Sequence, residues 1–228
     1  MTSPASLQRP AAGEALLRNP VIAVLRAGHA DQYAPVIDAL LAGGVTSIEL
    51  TLSTPGALEQ LPRLLERFGT EAEIGVGTVT RVQQAHQAID AGAAYIVTPV
   101  MDLPTVGLCV ERGIPVYPGG LTPTELLAGW NAGATAVKLF PASTVGPGYI
   151  GQLRGPFPDI AVIPSGGIGI ADAPGWIEAG ALAVSLGGPL LQDAFAGGSP
   201  AGLIRRAREV SELVARSRPV PAPRGAEE

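Results

Sequence analysis

The sequence is poor in aromatic residues, cysteine and histidine, and each shortage narrows what the chain can be. Phe, Trp and Tyr make up only 4% of its 228 residues, whereas 46% are hydrophobic. The core must therefore be built from Ala, Val, Leu and Ile, which are typical of parallel strands buried on both faces. The single cysteine, Cys109, excludes an internal disulfide and fits a reducing cytoplasm. The only histidines, His29 and His86, lack ligand spacing, so we expect no metal site.

Long basic runs and long apolar runs are missing as well. The formal net charge is −5 at pH 7, and no basic run alternates with aromatic residues, which argues against nucleic acid as a partner. There is no stretch of about 18 apolar residues and no secretory leader at the start of the chain, so we expect a soluble cytoplasmic protein with no membrane partner. No Gly-x-Gly-x-x-Gly opens a helix after the first predicted strand, so dinucleotide binding has no support and we expect no cofactor.

Short apolar runs, in contrast, recur along the whole chain. Eight of them begin 20 to 27 residues apart, and the segments between them carry apolar residues at helical spacing. This alternation predicts an α/β protein with a single (β/α)8 TIM barrel over residues 13–216; a doubly wound open sheet is the alternative. We expect a flexible N-terminus over residues 1–12 and a disordered tail over residues 217–228. The predicted strands are residues 21–26, 47–52, 74–79, 95–99, 116–120, 136–141, 161–168 and 183–188.

An internal repeat relates the even-numbered predicted strands. Gly44-Val-Thr-Ser-Ile-Glu49-Leu aligns without gaps on Gly133-Ala-Thr-Ala-Val-Lys138-Leu. The same offset from a glycine leads to Val97 in the fourth predicted strand and to Ser185 in the eighth. Strands four apart in an eight-stranded barrel lie opposite each other. If these positions point inward, Glu49 and Lys138 meet across the interior near the carboxyl-terminal mouth, where the active sites of this fold lie.

Lys138 is unusual because it is the only lysine, while the other fourteen basic residues are arginine. Its neighbours Val137 and Leu139 predict a buried strand, and burial lowers the pKa of a lysine because desolvation disfavours the ammonium form. The neutral amine can condense with a ketone, which an arginine guanidinium cannot do. The alternatives are a buried ion pair with Glu49 and a side chain that reaches solvent at the barrel rim.

Other polar side chains lie in or directly after the predicted strands. Arg26 suits a bidentate grip on a carboxylate, and Glu49, between two apolar residues, suits a general acid/base. Thr78 and Thr98 offer hydroxyl groups at the ends of the third and fourth predicted strands. A purely structural role, such as a surface arginine or a helix cap, is the alternative for each of them.

Two glycine pairs follow the last two predicted strands. Gly166-Gly167 comes after the seventh strand and Gly187-Gly188 after the eighth. Loops at these places in a TIM barrel often bind phosphate through backbone N–H groups. A single glycine pair is more typical of a simple turn, but two pairs at these two loops together favour an anion site.

In these residues the sequence resembles the 2-keto-3-deoxy-6-phosphogluconate aldolase family, which includes 4-hydroxy-2-oxoglutarate aldolases and 6-phosphogalactonate relatives. The similarity covers about residues 14–215. The motifs that carry it are Val-Ile-Ala-Val-Leu-Arg at 21–26, Ile-Glu-Leu-Thr-Leu at 48–52, Gly-Val-Gly-Thr-Val at 75–79, Pro-Gly-Gly-Leu-Thr-Pro-Thr-Glu at 118–125, Val-Lys-Leu-Phe-Pro at 137–141, Gly-Pro-Phe-Pro at 155–158 and Pro-Ser-Gly-Gly-Ile at 164–168.

The resemblance implies a metal-independent class I aldolase that cleaves a 2-keto-3-deoxy sugar acid, in phosphorylated form, to pyruvate and an aldehyde. It also implies a small-molecule keto acid as partner and a homotrimer as assembly. Lys138 matches the family's Schiff-base lysine and Glu49 its acid/base. The substrate-binding positions that it implies are Arg26, Thr78, Thr98, Phe140, Ser165, Gly166, Gly167, Gly187 and Gly188.

Three positions depart from the phosphogluconate-type pattern. Ser165 stands where Thr is frequent, and it keeps a hydroxyl group for the substrate carboxylate. Ser53 replaces an Arg and Gly188 replaces a Ser, so one cation and one hydroxyl donor are missing, and the need for a substrate phosphate has the least support. The alternatives are an aldolase for an unphosphorylated acid such as 4-hydroxy-2-oxoglutarate, a phosphosugar isomerase that uses Lys138 and Glu49 without covalency, and a non-catalytic binding or scaffold protein.

Overall fold

A computed structural model of the chain describes residues 9–217. All pairs of hydrogen-bonded strands within this range are parallel. The strands form a six-stranded sheet in the order β5-β4-β3-β2-β1-β9 and a three-stranded sheet in the order β6-β7-β8. Their bounds are β1 Val21–Leu25, β2 Ser47–Thr51, β3 Glu73–Gly77, β4 Ile96–Val97, β5 Val116–Tyr117, β6 Gly119–Gly120, β7 Val137–Leu139, β8 Val162–Pro164 and β9 Val184–Leu186.

Helices alternate with these strands, as the apolar spacing predicts. They are α1 Glu14–Arg18, α2 Tyr33–Ala42, α3 Ala57–Phe68, α4 Val82–Asp90, α5 Leu103–Glu111, α6 Pro123–Asn131, α7 Gly148–Arg154, α8 Ala173–Glu178, α9 Gly188–Leu191 and α10 Pro200–Arg216, with 3-10 turns at Ala30–Gln32, Ala142–Thr144 and Ile170–Asp172. Caps set several of the helix starts. Thr122 and Glu125, for example, form a capping box that begins α6, with a proline in its first turn.

The sheet order follows the chain, and the last strand, β9, pairs with the first, β1. A doubly wound sheet instead reverses its order at a switch point, so that alternative is wrong. The pairing of the predicted strands is split between two sheets. The predicted fifth strand contains Pro118, which has no N–H to donate. Its first half, β5, pairs with β4, and its second half, β6, pairs with β7.

The second interruption lies between β8 and β9. A single bridge joins Ser165 to Ser185, and the Leu182 N–H donates to the Val162 carbonyl at 2.8 Å. The described strands therefore form a parallel α/β sheet that curls around an interior, with two places where the regular ladder is broken.

Two apolar clusters hold the domain together. The larger one packs the helices against the outside of the strands. The smaller one fills the space that the strands enclose and includes Ile22, Tyr95, Val97 and Tyr117. Leu16 of α1 joins this inner cluster and is only 1% exposed, so the first helix covers the amino-terminal end of the interior.

The two predicted ends of the chain are described only in part. Residues 1–8 and 218–228 lie outside the described residues, and with them lies nearly all of the predicted disordered tail. Residues 9–12 of the segment predicted to be flexible are described, and Arg9 has hydrogen-bond partners in α6 and in the turn after it. Its guanidinium donates to the carbonyls of Ala134 and Trp130 and lies 3.4 Å from the centre of a Trp130 ring. Within residues 9–217, no helix is both long enough and apolar enough to cross a membrane.

Candidate active site

A cavity of about 610 Å³ opens at the carboxyl-terminal ends of the strands. Most of the predicted site residues line it, although they come from distant parts of the chain. This arrangement follows from the parallel strands, which all end at the same side of the sheet. The predicted residues that line the cavity are Arg26, Glu49, Thr78, Lys138, Phe140, Ser165, Gly166, Gly167, Gly187 and Gly188.

Glu49 and Lys138 approach the cavity from different sheets. Glu49 lies on β2 and is 1% exposed, and Lys138 lies on β7 and is 8% exposed. Within residues 9–217 neither side chain forms an ion pair, which leaves the buried ion-pair interpretation of Lys138 without support. The Lys138 Nζ atom lies 5.6 Å from the centre of the Phe140 ring, within about 6 Å of the ring face. An amine and a carboxyl group thus line one cavity without forming an ion pair.

The Glu49 carboxyl group is enclosed by protein. Burial raises its pKa, and the positive charges of Lys138 and Arg26 partly oppose this effect. Its Oε2 atom has no hydrogen-bond partner among the described residues. A side chain at Gly77 on the neighbouring strand would overlap with Glu49, so the glycine provides the space in which this carboxyl group lies. A buried carboxyl group with a raised pKa is suited to proton transfer near neutral pH.

Thr78 lines the cavity from a strained backbone position. Its φ angle is 54°, in the left-handed region that β-branched residues rarely adopt. Such strain persists where the surrounding structure fixes it, and it is frequent at functional sites. Here the Val79 N–H donates to the Val97 carbonyl at 3.1 Å and holds the turn in place.

The two predicted glycine pairs lie in neighbouring loops at one end of the cavity. Gly166 and Gly167 have φ angles of 89° and 73°, and side chains there would overlap with Phe140 and Ser143. Neither Gly167 nor Gly187 donates its N–H to another carbonyl among residues 9–217. Gly188 begins α9, so its N–H has no partner within the helix. These backbone groups are free to bind an anion.

Two serines form a buried pair beside the glycine loops. The Ser165 hydroxyl donates to the Ser185 hydroxyl at 3.3 Å, and both residues line the cavity. Ser185 was not among the predicted site residues. The repeat contained the signal for it, because Ser185 has the same offset from its glycine as Glu49 and Lys138 have from theirs.

Thr98 is the one predicted site residue that does not line the cavity. It is fully buried, its hydroxyl donates to the Val100 carbonyl, and it accepts a hydrogen bond from the Gly119 N–H at 3.2 Å. These bonds connect the end of β4 to β6 across a place where the backbone ladder is interrupted. The structure thus places Thr98 outside the cavity lining, with its hydroxyl group in hydrogen bonds between backbone segments.

One side of the cavity was not predicted from the sequence. Most of its residues belong to α9 and to the segment that follows α9. They have no motif of their own, because packing of the loops, rather than any strand register, brings them there. The additional lining residues are Val24, Pro99, Ile168, Pro189, Leu191, Gln192, Phe195 and Ala196.

Other candidate chemistry lies away from the cavity. Among the described residues, no three His, Cys, Asp or Glu side chains come together in a way that could hold a metal ion. Cys109 is buried in α5, and burial raises the pKa of its thiol to about 12, which disfavours the thiolate that a nucleophile needs.

Comparisons with known proteins are consistent with this geometry. A family model described as KDPG and KHG aldolase matches residues 13–197. The 2-dehydro-3-deoxy-6-phosphogalactonate aldolase of Escherichia coli K12 is 35% identical over 172 residues, which are 75% of this chain and 84% of that protein. The native KDPGal structure has a TM-score of 0.81 and 32% identity, and the match covers 87% of this chain and 95% of that one. The KDPG aldolase of Legionella pneumophila, solved with pyruvate captured as a covalent carbinolamine intermediate, has a TM-score of 0.78 and 28% identity, over 86% and 96% of the two chains.

Proposed function

Because the chain belongs to the KDPG and KHG aldolase family and is therefore a lyase, we propose that it cleaves a 2-keto-3-deoxy sugar acid through a Schiff base on Lys138. The products are pyruvate and an aldehyde. The observation that carries this proposal is the cavity itself, which is lined by both the only lysine of the chain and a buried carboxyl group.

The chemistry follows from these two groups. The free amine of Lys138 attacks the C2 ketone, and the resulting carbinolamine loses water to give an iminium. The Glu49 carboxylate, directly or through a water molecule, removes the proton of the C4 hydroxyl group. The C3–C4 bond then breaks, the aldehyde leaves, and the bonding electrons move to the iminium nitrogen to form an enamine. Protonation of the enamine at C3 and hydrolysis release pyruvate and restore the amine.

The remaining cavity residues suit the two ends of such a substrate. Arg26, Thr78 and Ser165 offer the charge and hydroxyl groups that a carboxylate requires. The N–H groups of the glycine pairs, at one end of the cavity, suit a phosphate. We therefore favour a 6-phosphorylated substrate, with 4-hydroxy-2-oxoglutarate as the alternative, because Ser53 and Gly188 leave fewer donors than the phosphogluconate-type pattern has. A panel of phosphorylated and unphosphorylated 2-keto acids would decide between them by kcat/KM.

The finer architecture belongs to the same proposal. We infer that the two curled sheets together form one (β/α)8 barrel, because β9 returns to β1 and the strand containing Pro118 contributes to both sheets. We also infer a homotrimer in the cytoplasm, on the basis of the family. Sedimentation equilibrium of the full chain would test the trimer, and a monomer at micromolar concentration would contradict it.

Borohydride trapping tests the proposed function directly. Incubation of the protein with pyruvate and borohydride is expected to add one adduct to the intact mass, and peptide mapping should locate it at Lys138. The chain has no second lysine to react in its place, which makes Lys138→Arg a sharp control. We expect Lys138→Arg to lose both the adduct and aldolase activity, the activity by roughly 10⁴-fold or more. An unmodified wild-type protein, or full activity in Lys138→Arg, would overturn the mechanism.

A further inference from the structure

Three buried polar atoms in the barrel interior have no hydrogen-bond partner among the described residues. They are Oε2 of Glu49 and the hydroxyl groups of Tyr95 and Tyr117. Each of the three side chains is at most 1% exposed. Buried polar groups in folded proteins nearly always find a partner, and where the protein supplies none the partner is commonly an ordered water. Three such atoms in one interior therefore point to a shared, water-linked polar cluster.

Two glycines on β3 show that Glu49 and Tyr95 are neighbours. Gly75 and Gly77 are two residues apart, so they face the same side of the sheet. A side chain at Gly77 would overlap with the Glu49 carboxyl group, and one at Gly75 would overlap with the Tyr95 ring. Tyr95 and Glu49 thus occupy successive positions along the inner face of β3.

Tyr117 lies on the other side of Tyr95. The two rings have their centres 5.4 Å apart at an angle of 49°. The charge of Glu49 raises the pKa of Tyr95 after the larger effect of burial, whereas the pKa of Tyr117 is raised by burial and then by Glu73. Of the two tyrosines, Tyr95 is the one whose ring lies beside Gly75, one inward position from the Gly77 site that Glu49 covers, and the one whose pKa is raised by the charge of Glu49.

We propose that Tyr95 is a positioning residue for Glu49, and that its hydroxyl group hydrogen-bonds the carboxylate through buried water. This inference rests on the proposed function, because it assigns Tyr95 to the proton transfer that Glu49 performs there. The Tyr95 ring lies beside Gly75 and the Glu49 carboxyl group beside Gly77, so Tyr95 is on the side of Glu49 toward the start of β3, while the substrate approaches Glu49 from the cavity. One oxygen of the carboxylate is thereby held in place and the other is left for the C4 hydroxyl proton.

The charged groups around this pair determine the sign of the expected effect. The positive charges of Lys138 on β7 and of Arg26 after β1 act on Glu49. The charge of Glu73 on β3 acts on Tyr95, as does that of Glu49. A hydrogen bond donated to a carboxylate favours its ionised form and lowers its pKa. Removal of the Tyr95 hydroxyl group should therefore raise the pKa of Glu49 further. The carboxylate would then be protonated, and inactive as a base, at a higher pH than in the wild type.

The test is the pH profile of Tyr95→Phe, measured as kcat/KM for cleavage from about pH 5 to pH 9. We expect the acid limb to move upward by about one pH unit. Carboxyl ¹³C chemical shifts of labelled glutamate, with Glu49 assigned through its loss in Glu49→Gln, should show the same displacement without any turnover. An unchanged acid limb together with an unchanged Glu49 titration would overturn the proposal.

Tyr117→Phe is the matched control. It removes the same hydroxyl group from the same interior, next to the same ring, but from a residue whose pKa shift includes no effect of Glu49. We expect its acid limb to remain at the wild-type position, and an equal displacement in both variants would overturn the assignment to Tyr95. Failure of the proposed function gives a different result, because the wild-type protein would then not trap pyruvate at all.

Discussion

The two walls of the cavity are built differently. Glu49 lies in the middle of a five-residue strand, β2, which pairs with β1 on one side and with β3 on the other. Lys138 lies on the three-residue strand β7, whose partners β6 and β8 have two and three residues. Beyond β7 the chain continues to Phe140, which is 39% exposed. The carboxyl wall is thus a long, regularly paired sheet, and the amine wall is a short strand that passes quickly into open loops.

This difference corresponds to two chemical tasks. A general base needs a fixed environment that tunes its pKa, and a buried strand paired on both sides supplies one. A nucleophilic amine must be reached by the ketone carbon, so it benefits from a position close to the cavity rim. The comparison implies that changes to the carboxyl wall should alter proton transfer, whereas those to the amine wall should alter covalent capture of the substrate.

The strongest separation of the two walls is expected from Glu49→Gln. The amide cannot accept the C4 hydroxyl proton, so kcat for cleavage should fall by about 10²- to 10⁴-fold. Lys138 is unchanged, so borohydride trapping of pyruvate should still proceed to completion. Stopped-flow assays and intact mass together measure the two effects. Loss of trapping in this variant would show that Glu49 is also required for Schiff-base formation, and the separation of tasks would be wrong.

A smaller effect is expected from a methyl group placed in the carboxyl wall. Gly77→Ala would direct its Cβ into the Glu49 carboxyl group, and overpacking of this kind destabilises a fold by about 1–3 kcal/mol. The displaced carboxyl group should also lower kcat. Chemical denaturation and steady-state assays of the same preparation measure the two losses.

Gly107→Ala is the matched control for that substitution. Gly107 lies inside α5, and a Cβ there would meet no other atom within 4 Å. Alanine favours a helix over glycine by roughly 0.5–1 kcal/mol, so this variant should be slightly more stable and fully active. If both variants behave alike, the space beside Glu49 is not specifically shaped by Gly77.

The sequence alone predicted the juxtaposition of Glu49 and Lys138 in one cavity because a repeat fixes register. Two strands with the same glycine offset direct equivalent residues to the same side, whatever the details of their loops. The parallel α/β class was predictable for a similar reason, since evenly spaced apolar runs alternate with amphipathic segments. Ser185 was within reach of the same argument, because it shares the offset.

Other features depend on atoms that no periodicity encodes. Pro118 lies in the predicted fifth strand, but only the structure shows that the pairing passes from β4 to β7 at that point. Thr98 has the residue type and the position of a site residue, yet its hydroxyl group is satisfied by Val100 and Gly119. The cavity wall after α9 comes from tertiary packing of a loop, which is the least periodic part of the chain.

The smallest expected effect concerns stability and follows from the enclosure of Glu49. Its pKa is raised in the folded state, so the folded protein binds this proton more tightly than the unfolded chain does. Protonated Glu49 therefore contributes stability that is fully present below the ordinary pKa of a carboxyl group. This stability is lost as the pH rises through the raised pKa that Glu49 has in the folded protein. In Glu49→Gln the side chain cannot ionise, so the variant does not lose this stability at high pH. At pH 8 its free energy of unfolding should exceed that of the wild type by roughly 1–2 kcal/mol, with little difference at pH 4.

Urea denaturation at the two pH values measures this difference, and Glu125→Gln supplies a control of opposite sign. The pKa of Glu125 is lowered, chiefly by its hydrogen bonds with Thr122, so its contribution is present at neutral pH and is lost as the pH falls. Glu125→Gln should therefore be no more stable than the wild type at pH 8. If Glu49→Gln is also no more stable than the wild type at pH 8, burial of the ionised Glu49 carboxylate costs no stability. The proposed difference between the environments of Glu49 and Lys138 would then have no support from stability.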